Sequence, residues 1–151
     1  MFESSLFMAA SFPGTVLFDY TSVVMLKNSL LRWLPAALIM AVIFGFSSTP
    51  ATRLPNFGLL DFVVKKGGHM LGYALLALAY WCGLRFEKKR WWLALLFALL
   101  YASSDEFHQS FVPGRHPSWV DVLGFDGGGA LIALSLGLWW LGGKKRRLKS
   151  E

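Results

Sequence analysis

The sequence predicts an all-α, polytopic membrane protein with four transmembrane helices joined by short loops. Of its 151 residues, 55% are hydrophobic and only 16% are charged, whereas a typical soluble domain carries roughly 25% charged residues. The hydrophobic residues form four long blocks, and a helix needs about 20 mostly apolar residues to cross roughly 30 Å of hydrocarbon. This composition disfavours a soluble enzyme, a disordered chain and a coiled coil, and the single Cys excludes an intramolecular disulfide.

The four predicted spans begin or end at polar residues or at tryptophan. They cover about residues 31–48, 69–86, 91–102 and 120–141. Trp residues at the block ends fit interfacial anchors. The glycines at 127–129 and at 137 are expected to let the fourth helix approach its neighbours closely. Between helices 1 and 2 the connection has room for a re-entrant or interfacial segment.

The predicted domain organisation places one membrane domain between two flanking segments. Residues 1–29 are expected to form an N-terminal extension, interfacial or disordered, because Pro13, Gly14 and Asp19 interrupt its apolar run. Residues 30–143 form the four-helix membrane domain, and residues 144–151 form a basic tail. Eleven Lys and Arg residues flank one side of the predicted spans and four flank the other, so the positive-inside rule puts both termini in the cytoplasm.

Polar side chains from three segments collect toward the predicted outer side. Spacing by four puts Lys65, His69 and Tyr73 on one face of the second helix. The other members are Asp105, Glu106, Gln109, Arg115, Asp121 and Asp126. Ionisable groups at membrane depth are costly unless they are paired or face water, so they favour function. A salt-bridge knot that staples the helix ends, for example Arg115 with Asp121 or Glu106, is the open alternative.

The residue types indicate two kinds of chemistry at this cluster. Lys65 and Arg115 suit a phosphate or carboxylate group, and the same ligand would meet Tyr73, Gln109, Asp121 and Asp126. His69 with the carboxylates of Glu106 and Asp105 suits general acid–base catalysis. HxxxH, HExxH, P-loop and GxSxG patterns are all missing from the sequence. We therefore expect no metal, no cofactor and no nucleic-acid partner.

The polar segments resemble the VanZ-like family of small bacterial membrane proteins over roughly residues 35–138. The resemblance rests on Asp-Glu-Phe-His-Gln-Ser-Phe-Val-Pro-Gly-Arg at residues 105–115, on the Asp six residues later, and on Lys, His and Tyr at 65, 69 and 73. Gly72 stands where many relatives carry an acidic residue. Phe125 stands where relatives often carry Asn or Asp, with Asp126 one residue later. The resemblance implies a multi-pass protein of the bacterial cytoplasmic membrane, in a family whose namesake is associated with teicoplanin resistance.

Three functions remain open at this point. The first is a non-enzymatic protein whose outward-facing site binds an anionic, lipid-linked or cell-wall-related ligand and lowers teicoplanin susceptibility. The second is a membrane-embedded acid–base enzyme acting on a lipid-linked phosphate or sugar head group. The third is a structural helper. The expected partners are membrane lipid, a lipid-linked cell-wall precursor or a glycopeptide, and further copies of the chain in a homo-oligomer.

Overall fold

The computed structural model describes residues 20–147, and it describes side chains for residues 29–143. In this part of the chain there are four long helices and no strand, so the prediction of an all-helical protein is confirmed. The helices are α1 (Tyr20–Ser47), α2 (Asp61–Gly83), α3 (Trp91–Gln109) and α4 (Gly127–Arg147). Short 3₁₀ turns occupy the first two connections, and a π-helical segment, Asp121–Asp126, leads into α4.

The helix boundaries differ from the hydropathy blocks at several ends, and α3 continues to Gln109, beyond the block that ends at residue 102. α1 begins at Tyr20, inside the segment expected to be an N-terminal extension, and residues 1–19 lie outside the described part. α2 begins at Asp61 rather than near residue 69, because charged residues in its first turns interrupt the apolar pattern without breaking the helix. The connection before α2 is therefore short, with two 3₁₀ turns. α4 continues to Arg147, and residues 148–151 are not described.

Helix α2 is central and packs against the other three helices. The most buried side chains of the core include Leu76 and Trp81 on α2 and Leu134 on α4. On α3, alanines at 94, 98 and 102 are at most 1% exposed and repeat every four residues along one face. These small side chains let α3 lie close against α2. The same face continues three and seven residues later into Asp105 and Gln109, which are buried for that reason.

Glycines set the closest approaches between α4 and α2. A Cβ added at Gly129 would lie 2.2 Å from the carbonyl oxygen of Met70, and one added at Gly137 would lie 2.6 Å from the ring of Trp81. Real side chains do not occupy such distances, so the expectation that these two glycines permit close packing is confirmed. The same expectation is wrong for Gly128, whose added Cβ would meet nothing within 4 Å.

The outer surface of the bundle is largely apolar. Two helical stretches in the described residues, Ser29–Ser47 and Asp121–Gly143, are long and apolar enough to cross a membrane. On α1, Leu34, Leu38 and Val42 recur every four residues and are each about half exposed. A continuous apolar face of this kind is unfavourable in water and favourable against lipid chains. The described surface therefore supports a membrane protein.

Candidate functional site

Two adjoining cavities lie at the end of the bundle where α1 ends and α2 begins. The apolar cavity, of about 430 Å³, lies between α1 and α2 and is walled mainly by aliphatic and aromatic side chains such as Ile43 and Leu75. The polar cavity, of about 210 Å³, lies between α2, the end of α3 and the start of the fourth helix. The two cavities share Lys65, His69 and Arg115 among their lining residues, so an apolar and a polar cavity adjoin at these side chains.

The polar cavity gathers most of the residues that the sequence singled out. Seven of the nine predicted site residues line it: Lys65, His69, Glu106, Gln109, Arg115, Asp121 and Asp126. Tyr73 lines the apolar cavity instead, and Asp105 lines neither cavity. Two further ionisable residues that line the polar cavity, Lys66 and His116, were not among the predicted site residues. Their positions directly after Lys65 and Arg115 were the only signal in the sequence.

The π-helical segment explains how two aspartates five residues apart reach the same cavity. In a regular α-helix, side chains five positions apart point about 140° away from each other. A π-turn widens the helix and pairs residues i and i+5, and such turns are frequent at functional sites. Through it, Asp121 and Asp126 both line the polar cavity. Phe125, the residue before Asp126, lines the same cavity.

Two lysines of α2 are held by aspartates. Lys65 Nζ lies 2.7 Å from Asp61 Oδ2, one turn earlier on the same helix. Lys66 forms an ion pair with Asp121. Among the described residues Arg115 forms neither of the ion pairs considered from sequence, with Asp121 or with Glu106. Lys66 lies on α2, which packs against the π-helical segment, and it is the basic partner of Asp121 in place of Arg115.

Arg115 is anchored by backbone carbonyls instead of a carboxylate. Its Nε donates to the carbonyl oxygen of Thr49 at 3.2 Å, and one terminal nitrogen donates to that of Phe46 at 2.7 Å. These carbonyls lie at the C-terminal end of α1, where helix carbonyls lack partners and attract cations. Arg115 reaches them from a tight turn at Gly114, whose φ is +74°. Among the described residues no carboxylate pairs with Arg115, so its charge faces the two cavities.

Two carboxylates of the polar cavity are deeply buried. Glu106 is 6% exposed and accepts a hydrogen bond from the backbone N–H of Ser118. Ser118 directly precedes helical residues 119–126, which lead into α4. A carboxylate there is favoured by the positive end of the helix dipole. Asp126 is 2% exposed, and its Oδ1 lies 3.6 Å from His69 Nδ1, beyond hydrogen-bond distance. Within the described chain, Asp126 Oδ1 is buried without a hydrogen-bond partner.

A separate polar cluster ties three helices together beside the cavities. Asp105, 3% exposed, accepts hydrogen bonds on Oδ2 from Ser47 Oγ at 2.7 Å, Gln109 Nε2 at 3.0 Å and Tyr73 Oη at 3.3 Å. Gln109 also donates to Ser47 Oγ at 3.3 Å. We call Ser47, Tyr73, Asp105 and Gln109 the Asp105 cluster. Since it links α1, α2 and α3, this part of the site acts as a structural knot, and sequence reasoning missed its Ser47 member.

The site can hold one molecule that has both a chain and a head group. A hydrophobic chain would lie against α1 and α2, and an anionic group would meet Lys65 and Arg115 where the cavities join. Comparison with protein families finds that the family described as VanZ/LLP1 matches residues 7–141. Comparisons with curated proteins and with solved structures found no match.

Proposed function

We propose, from the premise that the chain belongs to the VanZ/LLP1 family, that it is a membrane protein that binds an anionic, lipid-linked amphiphile. The single observation that carries the proposal is that an apolar and a polar cavity adjoin at Lys65, His69 and Arg115. A water-soluble anion would need only the polar cavity. A membrane lipid without a charged head group would need only the apolar one.

The hydrophobic chain of the ligand enters from the side of the bundle. Val42 on α1 and Leu71 on α2 border the apolar cavity and are 57% and 61% exposed on the apolar outer surface. The cavity therefore adjoins the surface that we assign to lipid. A hydrocarbon chain gains about 0.8 kcal/mol of free energy for each methylene that is buried from water. The chain of a ligand in the bilayer is already shielded from water, so its transfer into this apolar cavity costs little free energy.

The anionic group of the ligand is held by Arg115 with help from Lys65. Both cations line the junction of the cavities. Lys65 is partly neutralised by Asp61, whereas Arg115 uses two of its donors on carbonyls and keeps its net charge. A guanidinium fixed by backbone acceptors is preorganised for a phosphate or carboxylate.

An acid–base enzyme acting on a lipid-linked phosphate or sugar is the weaker candidate. His69 and Glu106 line the polar cavity, but Asp105, the third residue expected to be catalytic, is engaged in the Asp105 cluster. Since Asp105 does not line the cavity, only two of the three residues expected to be catalytic can reach a ligand there. The geometry therefore supports ligand binding better than acid–base catalysis.

We further propose that all four helices span the bacterial cytoplasmic membrane, with both termini inside and the site outside. In a Cys82→Ser background, His116→Cys should react with a membrane-impermeant maleimide in intact cells. Lys89→Cys, an equally exposed position between α2 and α3, should react only after permeabilisation. Labelling measured on gels in the reverse order would overturn this orientation.

Binding is expected to require both a chain and an anionic group. For protein purified in a neutral detergent, dodecyl phosphate should raise Tm, and inorganic phosphate at the same concentration should not. In Arg115→Ala, the same rise in Tm should require a dodecyl phosphate concentration about tenfold higher or more. This factor is the size expected for the loss of a charge-assisted hydrogen bond. Thermal unfolding followed by Trp fluorescence measures the shift.

Arg53→Ala is the matched control, because Arg53 is an exposed arginine of the connection between α1 and α2 and lines neither cavity. If both variants weaken the response to dodecyl phosphate equally, the effect is one of general charge, and the proposed site is wrong. Val42→Trp should fill the apolar cavity and reduce the response to dodecyl phosphate without touching the cation site.

We also propose that an occupied site lowers teicoplanin susceptibility. Arg115→Ala at normal membrane levels should therefore lose that tolerance in minimum inhibitory concentration assays, and Arg53→Ala should keep it.

A further inference from the structure

The charges of the polar cavity do not balance once its internal ion pairs are removed. Lys65 pairs with Asp61, and Lys66 pairs with Asp121. The ionisable groups that remain at the cavity are the guanidinium of Arg115, the imidazoles of His69 and His116, and the two buried acids, Glu106 and Asp126. No lysine or arginine in the described chain pairs with either acid, and the imidazole of His69 lies 3.6 Å from Asp126 Oδ1.

The two buried acids face the cavity as acceptors that need donors. Glu106 receives one backbone N–H, from Ser118, and Asp126 Oδ1 receives none although both residues are more than nine-tenths buried. A buried carboxylate costs several kcal/mol unless a cation or hydrogen-bond donors compensate it. Both residues line the polar cavity, so a bound molecule can supply the missing donors.

The order of these groups along the site is informative. Arg115 lines both cavities and therefore lies where a hydrophobic chain meets its head group. Glu106 and Asp126 line the polar cavity and not the apolar one, so they lie where the head group and not the chain would be. A ligand that matches the site thus presents a hydrophobic chain, then an anion, then a cationic donor.

We propose that the head group is zwitterionic, with a phosphate at Arg115 and a primary ammonium that donates to Glu106 and Asp126. The inference rests on the proposed function and narrows its ligand to aminoalkyl phosphate lipids. An ammonium has three N–H donors, which can serve both carboxylates at once. A head group with only a phosphate would leave the two buried acids uncompensated and add a third negative charge beside them.

The test compares four phospholipids that have identical acyl chains. Purified, delipidated protein is titrated with phosphatidylethanolamine, phosphatidylcholine, phosphatidylglycerol and phosphatidic acid, and bound lipid is counted by native mass spectrometry. Phosphatidylethanolamine should bind about tenfold more tightly than phosphatidylcholine, whose trimethylated nitrogen keeps the charge but lacks N–H donors. It should exceed phosphatidic acid by a similar factor.

The variants separate this inference from the function on which it rests. Glu106→Gln should erase most of the preference for phosphatidylethanolamine, whereas Glu87→Gln, an exposed glutamate between α2 and α3, should keep it. If phosphatidic acid or phosphatidylglycerol binds as tightly as phosphatidylethanolamine and Arg115→Ala abolishes binding, only the zwitterionic inference fails. If no phospholipid binds more tightly to wild type than to Arg115→Ala, the proposed function itself fails. The wild-type ranking decides the question even if Glu106→Gln does not fold.

Discussion

Replacing Asp105 with Ala is expected to destabilise the protein by several kcal/mol. One oxygen of this buried carboxylate accepts hydrogen bonds from Ser47, Tyr73 and Gln109 on three different helices. Without it, the buried hydroxyls of Ser47 and Tyr73 lose their acceptor, at about 1–3 kcal/mol per group, and Gln109 keeps only its bond to Ser47. In detergent, the variant should lose folded monomer in size-exclusion chromatography and show a much lower Tm than wild type.

Two further substitutions make that result specific. Ser104→Ala changes the neighbouring exposed residue, whose hydroxyl only donates to the carbonyl of Tyr101, and it should stay within about 0.5 kcal/mol of wild type. Asp105→Asn keeps an acceptor oxygen for the three donors, so it should fold better than Asp105→Ala and still bind dodecyl phosphate. If Asp105→Ala proves as stable as wild type but inactive, the Asp105 cluster is not structural, and the acid–base function regains its third residue.

The convergence of the site was predictable because it depends on local spacing. Lys65 and His69 lie four residues apart, and α2 carries both to the shared wall of the two cavities. Arg115 sits after a Pro-Gly turn that any reading of the chain places at the end of α3. Features fixed by one helix or one turn are visible in a sequence, since few alternative conformations compete with them.

The division of labour between Asp105 and Glu106 was not predictable. Adjacent side chains on a helix point about 100° apart, so one of the two enters the packed face and the other enters the cavity. Which one does so depends on how α3 is rotated against α2, and the alanine stripe at 94, 98 and 102 sets that rotation. Position 105 lies three residues after the last alanine and on the same face of α3, so the sequence contains the information that Asp105 enters the packed face. That information can be used only when the helix that packs against this face is known.

Contacts between distant segments were beyond the sequence for a different reason. Lys66 and Asp121 are 55 residues apart, and Arg115 was an equally plausible partner for the aspartate on charge alone. The π-helical segment also has no strong sequence signature, although it determines that Asp121 and Asp126 share a cavity. Such choices depend on the spacing between helices, which the glycines of α4 control.

Two neighbouring glycines of α4 should therefore respond to the same substitution with opposite sign. Gly129→Ala places a methyl group 2.2 Å from the backbone carbonyl of Met70, and a backbone atom can move only if α2 and α4 separate. Overpacking of this kind costs about 1–3 kcal/mol or more. Gly128→Ala meets nothing within 4 Å and should stabilise the helix by up to about 1 kcal/mol, the propensity difference between Gly and Ala.

The consequence for the site makes this pair more than a packing test. Met70 follows His69 directly, and Gly129 lies one turn beyond Asp126, so separating α2 from α4 at Gly129 also widens the polar cavity. Gly129→Ala should lower Tm and weaken the binding of dodecyl phosphate together, while Gly128→Ala raises Tm and leaves binding unchanged. Equal shifts of Tm in both variants would show that the two helices do not meet at Gly129, and the geometry assigned to the polar cavity would then lose its support.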